Sequence, residues 1–167
     1  MRGYLWRLCM AWCVGMALLC VGGGVGIVYA QTAQPAPLTQ WVTDPQHVLS
    51  PEEALTLTQH LQALAQSLPG NPQIAIDLPA HVEDIDSYAN DVFHATGLGR
   101  HEVDNGVLIV LAVAQRQARI EVGYGLEGVL TDLQSGDILR ANRSALQAGH
   151  YGTALTGIVN RPSCIHI

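Results

Sequence analysis

Four carboxylates stand out as residues that could do chemistry: Asp44, Asp104, Glu127 and Asp132. Three of them fall within one stretch, DNGVLIVLAVAQRQARIEVGYGLEGVLTD, running from Asp104 to Asp132. Two apolar runs stand back to back there, each bordered by Gly with an acidic residue close by. Such a segment buries itself and presents carboxylates where the buried part ends. Carboxylate oxygens suit a hard divalent cation, which takes about 6–8 oxygen ligands, backbone carbonyls and water included. Asp44, Asp104 and Asp132 are therefore the candidate metal ligands, calcium is the expected ion, and Glu127 is a fourth candidate. The expectation requires the fold to carry three loops to one edge. Each residue also has an ordinary reading. Asp104 precedes the turn pair Asn105-Gly106, Asp132 stands where a helix would be capped, and Asp44 lies in a loop. The spacing is not that of an EF-hand loop.

Other chemistries find less support. Gly123-Tyr124-Gly125-Leu126-Glu127-Gly128 spells G-x-G-x-x-G after a strand. A dinucleotide site also needs a helix opening at the third Gly and an acidic residue after a second parallel strand, and neither is evident. The stretch reads instead as a tight loop using Gly to reach positive φ. No nucleotide is expected. The chain has no G-x-S-x-G, and His101-Glu102 lacks the second His of H-E-x-x-H. No catalytic residue can be assigned.

The elements that must position the carboxylates follow from pattern. Ser50-Pro51-Glu52-Glu53 is a capping box with Pro at the first helical position. Ala54, Leu57, Leu61, Leu64 and Leu68 then recur at helical spacing, and Pro69-Gly70 ends the run. Gln73 to Leu78 reads as a strand, and Asp84 to Thr96 as a second helix. Gly106 to Ala114 is continuously apolar, as in a central strand covered on both faces. The turn Gln115 to Gln117 is too short for a parallel crossover, so the strand Arg119 to Val122 should lie antiparallel to its predecessor. A helical region from Asp132 or Ser135 to about Ala148 and a last short helix, Tyr151 to Val159, complete the order. The expected fold is α/β, a three-layer sandwich with a mixed central sheet of about four strands flanked by helices.

The 167 residues leave room for one domain behind a leader. Arg2 and Arg7 precede a charge-free run from Leu8 to Val28, which closes in Val28-Tyr29-Ala30 before Gln31. This pattern is a signal peptide, or an uncleaved anchor if the apolar run spans a bilayer. Either places the rest of the chain outside the cytoplasm, periplasmic or extracellular. Residues 1–30 are thus the leader, 31–40 a Pro-containing linker, 41–160 the domain and 161–167 a short atypical tail. Cys9, Cys13 and Cys20 fall in the leader and Cys164 in the tail, so the domain depends on its core rather than on disulfides. The chain contains no Lys; after Ala30, six Arg face fourteen acidic residues, a formal charge of −8. Such acidity disfavours nucleic acid and anionic lipid as partners and is compatible with cations.

An ordered series of motifs runs through Val42-Thr43-Asp44 with Val48-Leu49-Ser50, Ile85-Asp86-Ser87-Tyr88-Ala89 and Gly97-Leu98-Gly99. It continues through Asp104-Asn105-Gly106-Val107-Leu108 and Ile120 to Gly128, then Leu130-Thr131-Asp132. In this series the chain resembles the TPM domain. Ala148-Gly149-His150-Tyr151 is similar to the family's Gly-Asp-Tyr. That family is an exported module shared by a plant thylakoid-lumen protein, a photosystem II repair factor and an acetylcholine-receptor modulator. The resemblance implies an α/β sandwich that binds a divalent metal, usually calcium, at loop carboxylates. By motif, Asp44, Asp104 and Asp132 are the positions carried over. The chain departs from the family at Ser144-Ala145-Leu146-Gln147, where relatives show a Pro and an aromatic. It also stops at Ile167, where a closing helix would continue, as truncation or a change of frame would produce. Two functions follow as expectations. One is a metal-binding extracytoplasmic domain that serves interaction, assembly or repair beside a membrane-associated protein partner. The alternative is a metal-assisted acid phosphatase acting on small phosphoesters.

Overall fold

The computed structural model describes residues 35–99 and 102–161, all within one compact unit, Ala33–Ile167. The leader, the start of the linker, all four cysteines and the tail beyond Arg161 lie outside the described residues. Among the described residues, no helix is long and apolar enough to cross a membrane.

A two-residue strand β1 (Val42–Thr43) leads to helix α1 (Pro51–Ser67). The helix starts at the expected box. The Ser50 hydroxyl accepts from the Glu53 N–H at 3.2 Å, and the Glu53 carboxylate accepts from the Ser50 N–H at 2.9 Å. Hydrogen bonding to the Glu53 carboxyl, first from the Ser50 backbone and then from the Ser50 side chain, holds it below its ordinary value. Leu57, Leu61 and Ala65, one turn apart, are the buried residues of α1. Strand β2 (Gln73–Asp77) and helix α2 (Ile85–Thr96) follow. Asp84 caps α2 by accepting from the Ser87 N–H at 2.8 Å, and Gly97, at φ 65°, stops it in the left-handed conformation.

Strand β3 (Gly106–Ala112) is buried along its whole length, as its unbroken apolar sequence requires. A short turn returns the chain as β4 (Gln117–Val122). Helices α3 (Asp132–Ala141), α4 (Arg143–Gln147) and α5 (Tyr151–Val159) end the domain. The single helix expected to reach Ala148 is broken at Asn142. There the side-chain amide donates to the Ile138 carbonyl at 2.9 Å, a local bond that competes with helix continuation.

The sheet order is β1-β2-β3-β4. The first three strands are parallel, and β4 is antiparallel to β3. On one face, Ile74, Ile76, Val107, Ile109 and Ile120 pack with Leu57 and Leu61 of α1, Ile138 of α3, and Leu155 and Ile158 of α5. On the other, Ala75, Leu108, Val110 and Ala112 pack with Ala89, Val92 and Phe93 of α2. Leu38 joins this second layer, and its N–H donates to Thr96 Oγ1 at 2.9 Å. The molecule is thus the three-layer α/β sandwich with four strands that the pattern implied.

Candidate functional site: a carboxylate-lined cleft at the amino-end rim

Strand direction and register divide the candidate carboxylates between two rims. Gly106 of β3 pairs with Gln73 of β2 where both strands begin, and β4 ends beside them, with Val122 opposite Val107. Asp104 belongs to this amino-end rim. Asp44 follows Thr43, which pairs with Asp77, itself opposite Val110, where the parallel strands finish. Asp44 and Asp104 are therefore about seven residue positions apart along the strands, roughly 20 Å at ~3.3 Å per residue. The three-aspartate site expected from sequence is not assembled. Asp44 instead braces its own loop. Its two carboxylate oxygens accept the Val48 and Leu49 N–H groups at 3.0 and 2.8 Å and fix the turn into α1.

Asp132 is the first residue of α3, which Thr131 caps. The Thr131 hydroxyl accepts from the Gln134 N–H, and the Gln134 side chain accepts from the Thr131 N–H. The Asp132 charge reaches Arg119 of β4. Burial pulls that guanidinium down, but Glu121, then Asp86, then Asp132 outweigh it and raise it.

The amino-end rim holds a cleft of ≈ 560 Å³ between the C-terminal half of α2 and the ends of β3 and β4. Asn90, Phe93 and His94 supply one wall; Asp104, Glu121 and Glu127 bring three carboxylates. Neither Asp44 nor Asp132 lines it. Glu121 accepts from Arg119 at 3.0 and 3.2 Å, and Arg119 also pairs with Asp86 at 3.1 Å. Among the described residues, the carboxylates of Asp104 and Glu127 have no partner, and both residues are exposed. Their chemistry suits a hard cation. Yet among the described residues no three His, Cys, Asp or Glu side chains are gathered closely enough to hold a metal as they stand. The donors share a cleft without converging on a point.

Backbone packs directly against backbone at this rim. Asp104 sits at φ 44°, a left-handed conformation that short polar residues tolerate. Its carbonyl accepts from the Gly125 N–H at 3.2 Å, and the Gly106 carbonyl accepts from the Gly123 N–H at 2.8 Å. The expected positive φ at the G-x-G-x-x-G glycines is not found; among the glycines described, only Gly70, Gly97, Gly99 and Gly149 have it. The glycines at 123 and 125 answer a different need. A Cβ on Gly123 would lie 2.1 Å from the Asp104 carbonyl oxygen, and one on Gly125 would lie 1.8 Å from that of Val103. After Gly123 the chain turns into a single 3-10 turn, Tyr124–Leu126, rather than a helix. Asn105, buried between the loops, donates its amide to the Gly70 carbonyl at 2.9 Å.

Two further polar residues escaped sequence reasoning. Glu121 joins the cleft because β4 ends there. Asp77 is 2 % exposed on the α2 face of β2, and its Oδ2 accepts from the Tyr88 hydroxyl at 2.8 Å. The available signal was an acidic residue closing the apolar strand Gln73-Ile74-Ala75-Ile76-Asp77.

With this architecture established, similarity to known proteins decides the family. The model of the TPM domain matches residues 42–162. The chain belongs to the TPM domain family. Solved structures agree. The N-terminal domain of a P. gingivalis protein superposes with a TM-score of 0.64 at 26% identity, covering 76% of this chain and 82% of that one. That of the cg2496 protein of Corynebacterium glutamicum gives 0.60 at 17%, covering 81% and 85%. The BA42 protein of the psychrophilic bacterium Bizionia argentinensis gives 0.59 at 20%, covering 72% and 82%. The second and third likenesses speak for the fold alone. No curated protein matches the chain.

Proposed function

We propose that this TPM domain works outside the cytoplasm as a divalent-cation-binding module, with calcium the expected ion. Its role is interaction, assembly or repair beside a membrane-associated protein. The leader pattern in residues 1–30 supports export, and a formal charge of −8 after Ala30 supports affinity for cations. The observation that carries the reading is the amino-end cleft. It collects Asp104, Glu121 and Glu127, two of them without partners among the described residues, on a rim whose backbone is fixed by close packing. Asp104 and Glu127 would hold the ion, with water and backbone carbonyls completing an oxygen shell of about 6–8. Bound there, the cation would supply positive charge at an otherwise acidic surface and a fixed point for an acidic partner.

Calcium titration with thermal unfolding tests this. An ion at one hundred times its dissociation constant stabilises the folded state by about 2.7 kcal/mol. The informative variant is Asp104→Asn, since Asn accepts the left-handed backbone at this position while losing the charge. The parent should respond, Asp104→Asn should lose most of the response, and Asp44→Asn should keep it. An unresponsive parent would remove the cation from the account.

A further inference from the structure

One polar pair interrupts the apolar layer between α2 and the sheet. Asp77 is 2 % exposed, stands opposite Val110 on the sheet face that carries the Ala75, Val82 and Ala89 layer, and has the Tyr88 hydroxyl as its partner. We infer that Asp77 and Tyr88 form a proton-sensitive latch that holds α2 on the sheet, and with α2 the cleft wall built from Asn90, Phe93 and His94. The inference stands on the α2 layer alone and holds whether or not the cleft takes a cation.

Among the described residues, few titratable groups face Asp77. From α2, Tyr88 touches it, while Asp86 is turned to Arg119. From β4, Arg119 lies in the same cross-strand row, with Val110 of β3 between, and is paired with Glu121 and Asp86. From β1 the neighbour is Thr43, which is neutral. Among the described residues, no cation is paired with Asp77 to favour its charged form.

Burial pushes the Asp77 carboxyl above its ordinary value, and the Tyr88 bond draws it only part of the way back. Burial, then the Asp77 charge and hydrogen bond, push the Tyr88 hydroxyl up as well, so Tyr88 keeps its proton and remains the donor. A carboxyl whose pKa is raised by folding contributes stability that is complete below its unfolded pKa. That contribution is lost as pH climbs through the folded value. The latch therefore grips best in acid and loosens as pH rises through the raised value, when a charge forms against the apolar wall.

Amide hydrogen exchange on the intact protein reads the latch directly. Protection of the Ala89 and Val92 amides, corrected for intrinsic rate, should fall as pH rises from acid to neutral. The fall should be about tenfold for each unit by which the closed-state pKa exceeds the open-state value. Asp77→Asn, neutral and nearly isosteric, should abolish the slope. Tyr88→Phe should raise the carboxyl titration of Asp77 seen by carbon NMR; if that variant does not fold, Asp77→Asn still decides. Protection independent of pH in the parent, or an unchanged slope in Asp77→Asn, would overturn the latch.

Discussion

The two rims of the sheet carry the same residue types in opposite conditions. At the carboxyl-end rim, both Asp44 oxygens accept backbone N–H groups, and Asp77 is buried against the Tyr88 hydroxyl. At the amino-end rim, Asp104 and Glu127 line an open cleft without partners among the described residues. The first set is fixed because its oxygens complete the structure. The second is available because glycines let carbonyl and amide groups pack directly, so the side chains are not needed to hold the loops. A carboxylate's motif position does not separate these cases; what its oxygens already accept does.

The contrast can be broken in stages. The largest effect should come from Gly125→Ala, whose Cβ would sit 1.8 Å from the Val103 carbonyl oxygen. Backbone must move, at about 3 kcal/mol or more, so the urea midpoint should fall steeply. An unchanged midpoint would mean that the rim is not held by close packing. A smaller effect belongs to Asp44→Ala, which leaves the Val48 and Leu49 N–H groups without their acceptor and should cost about 1–3 kcal/mol. In the same unfolding experiment Asp104→Asn should change stability by less than about 0.5 kcal/mol, as an exposed side chain without partners would. Equal losses in the two variants would erase the distinction between the rims.

Much of the fold was legible because its signals are local. The Ser50 and Glu53 box, the Leu57 and Leu61 spacing, the unbroken apolar β3 and the short turn before β4 each specify their element within a few residues. The placement of Asp44 was not legible, since it depends on β1 adding parallel to β2 in the register Val42 to Ile76. Nothing in Val42-Thr43-Asp44 encodes that distant pairing. The tight loop from Gly123 to Gly128 is legible in its glycines, but the reason for them is not. A requirement for close approach to Val103 and Asp104 is invisible until those segments are neighbours. Asn142 looked helical because its competing bond to Ile138 is one of two equally local choices. Asp77 stood in plain view at the end of an apolar strand, yet only the packing of α2 shows what it meets.

The amino-end rim as the cation site is the claim on which the functional account turns, and a paramagnetic ion tests it most directly. Manganese titrated into isotope-labelled protein broadens the amide signals nearest to where it binds. Early broadening of Asp104, Tyr124 and Glu127 is expected, with Val48 and Leu49 left sharp. Broadening centred on Val48 and Leu49, or no selective broadening anywhere, would contradict it.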